Sequence, residues 1–137
     1  NNRNSKMVHF LNYPTNYSIC NTQDFEVIIY ADSKNLECFK DENINNIKLL
    51  DIDENIYHVN LNSINIKERV LVDDKYYFPY FLNLSMSFLS DSIVKMNDVK
   101  LIITLKNSNK IVFNIGNISV INSEFEMLTS IKSITFS

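Results

Sequence analysis

From Leu82 to Phe88 apolar and polar residues alternate without a break. Leu82, Leu84, Met86 and Phe88 fall on one side, and Asn83, Ser85 and Ser87 fall on the other. A period of two is that of a strand with one buried face. Residues 25–30 repeat the pattern, with Phe25, Val27 and Ile29 on the inward side. Val99, Leu101, Ile103 and Leu105 lie on one side of a further strand, and Ile111, Phe113 and Ile115 on one side of the next. A three-residue loop, Asn107-Ser108-Asn109, would set Leu105 opposite Ile111, Ile103 opposite Phe113 and Leu101 opposite Ile115, all on one face. A loop shorter by one residue would place Leu105 against Lys110, which a buried face rejects. The last position of such a loop is left-handed, and Asn109 is the residue expected there.

Past Ile115 the apolar set changes phase, from odd positions to Ile118 and Val120, across the only glycine, Gly116. A phase change at a lone glycine predicts a β-bulge at Gly116-Asn117. Residues 47–52 and 56–61 read as a second hairpin around Asp53-Glu54-Asn55, with Leu49 opposite Val59 and Ile47 opposite Leu61. Residues 6–11, 64–66 and 70–72 are shorter strand candidates, and Asp73-Asp74-Lys75 is a turn. Residues 15–23 read as a polar connection and 31–43 as a long charged loop. A helical turn capped by Ser90 or Asp91 is expected within 89–98, another turn within 123–128 and a last strand over 130–136.

Seven to nine short strands separated by turn signals predict an all-β, antiparallel β-sandwich. Residues 1–5 read as an extended tail and 6–137 as a single domain. A long strand, a connection of roughly ten residues and then a tight hairpin resembles strands E, F and G of an immunoglobulin-like or fibronectin-like sandwich. The likeness is one of strand spacing alone and points to no family.

Composition narrows the function classes. The chain has 21 Asn and 18 Ile against one Gly and two Pro, and 11 Lys against two Arg. That bias fits an AT-rich, bacterial genome and hands turn work to Asn. The net charge is −3, and no run of Lys or Arg is long enough to track phosphates, which argues against nucleic acid. No apolar stretch reaches the length of a membrane-spanning helix. The chain begins Asn1-Asn2-Arg3, the start expected of a trimmed or mature fragment.

Little here is built for catalysis. One glycine cannot make a phosphate-cradling loop, and His9 and His58 both fall within expected strands. No cofactor or metal is expected. Asp51-Ile52-Asp53-Glu54-Asn55 opens like a calcium loop, but Ile56 and Asn62 stand where its glycine and final glutamate belong. Cys20 and Cys38 lie outside the expected strands and are the candidates for one disulfide in an exported domain. The candidate partner surface is the aromatic stretch around Tyr77, Pro79 and Phe81: proline inside a strand implies an edge, and outward rings beside it imply a docking patch. The expected function is therefore a non-catalytic binding domain of an exported or cell-surface protein, meeting a protein partner or a second copy through a sheet edge. The alternative is an assembly subunit, such as a phage-tail, capsid or appendage protein.

Overall fold

A computed structural model of the chain describes residues 8–11, 13–20, 24–86 and 94–121. Among these residues nine strands run in the order β1 (Phe10–Leu11), β2 (Thr15–Cys20), β3 (Phe25–Ala31), β4 (Ile44–Leu50), β5 (Ile56–Ile66), β6 (Val70–Val72), β7 (Lys75–Ser85), β8 (Val94–Leu105) and β9 (Lys110–Ile121). They form one sheet, curled into a half-barrel, in the order β1-β3-β7-β5-β4-β8-β9-β2, with β6 beside β7. The fold is all-β as expected, but the sheet is mixed rather than antiparallel, because β2 runs parallel to β9.

The inner face is the one the alternation marks. Val27, Leu49, Leu82, Leu84, Met96, Val99, Leu101 and Ile103 are fully buried. β5 turns the corner of the sheet: Ile56 to Val59 pair with β4, and Asn60 to Ile66 pair with β7, with a register shift between Leu61 and Ser63. At the opposite side the chain itself closes the curl. β1 pairs with β3, and only a few residues later β2 pairs with β9 at the far edge of the same sheet. The Tyr17 hydroxyl then hydrogen-bonds the Ile28 backbone across the gap, and burial raises its pKa.

Both hairpins keep the expected faces and the three-residue loop, but each is shifted by two residues. Ile103 pairs with Ile111 and Leu101 with Phe113; Ile47 pairs with Val59 and Leu49 with Tyr57. The loops are closed by Asp51–Asn55 and Leu105–Asn109. Their left-handed residues are Glu54 and Ser108, not the asparagines that follow. Side chains set this choice. The Asp51 carboxylate accepts from the backbone N–H of Asp53 at 3.0 Å, from that of Asn55 at 2.9 Å and from Asn55 Nδ2 at 3.1 Å. Asn107 Oδ1 accepts from the Asn109 N–H at 3.0 Å. Asn thus works mainly through its side chain: of the six non-glycine residues with positive φ among the described residues, only Asn35 is an asparagine.

Gly116 does sit in a bulged stretch. Met96 pairs with Ile118, Val99 with Gly116 and Lys100 with Asn114, so β8 carries one extra residue and β9 another. The glycine has φ +104°, and a Cβ there would lie 1.9 Å from the Thr15 carbonyl oxygen. What it admits is the backbone of β2.

One further expectation is corrected, and another is narrowed. The stretch 15–23, read as a polar connection, contains β2. Its pairing to β9 is made by backbone, and its mixed side chains carry no clean period. The expected helical turn over 89–98 is strand from Val94 onward. Residues 89–93 lie outside the described residues, as do the tail 1–5, Phe88, the turn within 123–128 and the strand at 130–136.

Candidate functional site

Three connections meet at one end of the sheet. Residues 32–43 follow β3, residues 67–74 lie between β5 and β7, and 106–109 join β8 to β9. Lys106 donates its N–H to the Asn43 carbonyl at 2.9 Å, tying the first to the third. Beneath them Phe10, Phe39, Tyr80 and Phe113 pack together. Phe39 lies 4.6 Å from Tyr80 and 6.0 Å from Phe113, and Phe10 lies 5.0 Å from Phe113, centroid to centroid. Phe39, on a 3₁₀ turn Glu37–Phe39, is thus a core residue inside a segment that reads as a charged loop.

The first connection is pinned at several points. The Tyr80 hydroxyl donates to the Ser33 carbonyl at 2.6 Å and accepts from the Leu36 backbone. The Asp32 carboxylate accepts from the His9 N–H and the Ser33 hydroxyl, each at 3.1 Å, and meets Lys75 Nζ at 3.7 Å. Burial alone would raise its pKa; these partners outweigh that and hold it below the usual value. Between the anchors stands Lys34, its ammonium 5.3 Å above the Phe78 ring.

The facing wall is the break between β5 and β6. The Lys67 N–H donates to the Pro79 carbonyl at 3.0 Å. Lys67 stands 5.3 Å above Phe81, and the Arg69 guanidinium lies 4.1 Å above Tyr76. A groove of about 670 Å³ runs between the walls, lined by Lys34, Ile66, Lys67, Glu68, Arg69 and Phe78. Beside it β6 and the start of β7 project as a two-stranded arm. β3 pairs with β7 only from Phe78 onward, so Lys75, Tyr76 and Tyr77 pair through their backbone with β6 alone among the described residues. The arm turns at Asp73-Asp74, both left-handed, as a two-residue hairpin loop requires. Ile66, Val70, Leu71 and Tyr76 make up half of the eight large hydrophobic residues exposed in the described structure.

The sequence-derived surface at Tyr77, Pro79 and Phe81 is placed differently from expectation. From Phe78 onward β7 is not an edge: β3 flanks it on one side, and β5 on the other; only the start of β7, with Tyr77, pairs on one side alone, with β6. Pro79 is buried. Its carbonyl accepts from Lys67 on the β5 side, so its nitrogen, which has no hydrogen to donate, faces the same side, at the break between the β5 and β6 pairings. Tyr77 and Phe81 are half-buried, with Lys75 5.6 Å above the Tyr77 ring. The cations Lys34, Lys67 and Arg69 were not legible as a group. The first is more than thirty residues from the others in sequence, and only the β3–β7–β5 register brings them to one groove.

Cys20 and Cys38 are not joined to one another. Cys20 pairs with Ile121 at the end of β9, whereas Cys38 neighbours Glu37, which reaches the Lys106-Asn107 tip at the other end. Twelve residues of β9 span roughly 40 Å, far beyond the ~7 Å that a disulfide tolerates between Cα atoms. The Asp51 carboxylate, first of the calcium-like run, is engaged by its own loop. Among the described residues no three His, Cys, Asp or Glu side chains gather as a metal site, and no helix is long and apolar enough to cross a membrane. No family model, no curated protein and no solved structure matches the chain.

Proposed function

We propose that this chain is a non-catalytic interaction domain of an exported or cell-surface protein, and that it meets a protein partner at the end where the three connections gather. The observation that carries the reading is the projecting arm and its groove. Val70, Leu71 and Tyr76 are exposed on a two-stranded ribbon, and isolated ribbons of that kind are marginal in water until something covers them. Tyr77, at the base of the arm, belongs to the surface, with Phe81 reached through Lys67.

The strand order supports an immunoglobulin-like sandwich. β1, β3, β7 and β5 follow the order A-B-E-D, and β4, β8 and β9 follow C-F-G. A first strand divided between β3 and β9 accounts for the one parallel pairing. Sandwiches of this type commonly bind through the loops at one end, and that likeness is the ground for the extracellular assignment.

A photo-crosslinking residue at position 71, in the full-length protein in its native cells, tests the reading, with position 112 as an exposed control on β9. Adducts formed at 71 and absent at 112 are expected. Equal labelling at both positions rejects the interaction end. The edge of β6 that pairs with no strand among the described residues favours a second reading, an assembly subunit whose arm is extended by another copy. Native mass spectrometry separates the two: rings or fibres of the isolated chain favour assembly, and a monomer favours the binding domain.

A further inference from the structure

We infer that the groove between Lys34 and Arg69 is a recognition site for an acidic peptide segment, in which carboxylates of the partner meet these cations. The inference rests on the interaction reading and gives the partner a chemistry.

Three positive side chains line the groove, Lys34, Lys67 and Arg69. None has a carboxylate within 4 Å among the described residues, where the ion pairs are Lys40–Glu37 and Lys75–Asp32. Glu68 also lines the groove, yet it forms no ion pair with either neighbour. In a chain of net charge −3, a groove with three cations outside any ion pair against one glutamate is a local exception to the overall balance. They are also held in place. Each sits over a ring: Lys34 over Phe78, Lys67 over Phe81 and Arg69 over Tyr76. An aromatic face attracts a cation without cancelling its charge. The charge therefore stays available to a ligand, while part of the ordering cost of three long side chains is met before binding.

The surroundings select the kind of anion. Asp73 and Asp74 cap the tip of the arm, and Asp32 lies behind Lys75. A nucleic acid or a sulfated glycan needs a continuous basic track, and here such a chain would run from the groove onto carboxylates. A short acidic segment does not. The apolar part of the lining, Ile66 and Phe78, suits side chains of a peptide, and the β6 edge beside it offers backbone groups for strand addition.

The test uses the full chain and two labelled octapeptides, alternating Glu-Thr and alternating Gln-Thr, followed by fluorescence anisotropy and amide chemical shifts. The Glu peptide should shift the amides of Lys34, Lys67, Arg69 and Phe78 and leave Val112 unmoved. The Gln peptide should bind about tenfold more weakly, as loss of two or three exposed ion pairs implies. The double variant Lys34→Gln/Arg69→Gln should weaken the Glu peptide to a similar extent with an unchanged circular dichroism spectrum, and a Lys100→Gln control should not. Equal binding of the two peptides, or shifts away from the groove, overturns the proposal. So does tighter binding of a single-stranded oligonucleotide or a sulfated oligosaccharide. If the groove fails while crosslinks at position 71 persist, only the acidic-peptide chemistry is wrong. If the crosslinks fail too, the interaction reading falls with it.

Discussion

Replacing Gly116 by alanine should cost this fold about 3–5 kcal/mol, a large share of the 5–15 kcal/mol that holds a domain together. The figure follows from two separate terms. At φ +104° a residue with a Cβ is strained by roughly 1–3 kcal/mol. The added carbon would also lie 1.9 Å from the Thr15 oxygen, 2.5 Å from its nitrogen and 2.9 Å from its carbonyl carbon. All three are backbone atoms, so no rotamer change can relieve the overlap. A carbon–oxygen contact needs about 3.3 Å, and β2 must therefore retreat by more than 1 Å where its pairing with β9 begins. Two backbone hydrogen bonds there are worth about 1 kcal/mol each. Urea unfolding followed by far-ultraviolet circular dichroism measures the loss. Amide exchange over Thr15–Cys20 shows whether β2 has come away. Val112→Ala, exposed on the same strand, should change stability by only about 0.5 kcal/mol. A Gly116→Ala protein within 1 kcal/mol of the parent, with β2 amides still protected, would refute the argument.

Ile103 is fully buried, whereas Ile102 faces outward between Lys48 and Val112. Ile103→Lys should therefore unfold the domain and Ile102→Lys should be mild; equal losses in thermal melts would mean that both faces are covered. Asp51→Ala removes the acceptor of three hydrogen bonds and should cost about 2–3 kcal/mol in urea titration, with Asp51→Asn milder. Burial raises the pKa of Tyr17, Tyr57 and Tyr80 above 10.0, so above that pH the unfolded chain gives up protons that the folded one keeps. Stability should then fall as pH rises past 10, and Tyr17→Phe with Tyr80→Phe should flatten the slope; an unchanged slope rejects the assignment. Intact mass should stay constant on reduction, because Cys20 and Cys38 lie at opposite ends of β9; a two-dalton gain would mean a bridge.

The faces of the strands were legible because a period of two leaves little freedom. Phe25, Val27 and Ile29 point inward, as do Leu101, Ile103, Phe113 and Ile115. Register was legible only up to a shift of two. Moving a hairpin by two residues keeps every side chain on its face, so hydrophobic patterning cannot tell Ile103–Phe113 from Ile103–Ile111. The remaining choice belongs to the loop, where Asp51 and Asn107 hold the turn one residue earlier than the left-handed preference of Asn55 and Asn109 suggests. Pro79 misled for a related reason. A residue without a donor needs a gap in the regular ladder, and the break between the β5 and β6 pairings provides one inside the sheet as well as an edge would. β2 left almost no trace, since its pairing is carried by backbone and by a glycine one hundred residues away in sequence.

The proposed recognition end can be altered by substitution while the sheet stays intact, for a reason visible in the packing. The core cluster closes at the loop end with Phe10, Phe39, Tyr80 and Phe113. Tyr80 reaches out from that layer to hold Ser33 and Leu36. Lys34 therefore stands on a turn whose position is set from below, by rings and a buried hydroxyl, and not by its own charge. Lys67 and Arg69 are likewise carried on a bulge fixed by a backbone bond to Pro79. The three cations are exposed, and substituting any of them loses a ring contact but leaves no buried polar group unpaired, so the cost in stability should be small. Substituting Phe39 or Tyr80 has the opposite consequence: it opens the layer on which the groove is mounted, and lost binding would follow from lost order in the 32–43 connection. Stability and the proposed recognition thus fall to different residues at the same end of the sheet, and a cation variant that unfolded the domain would contradict that division.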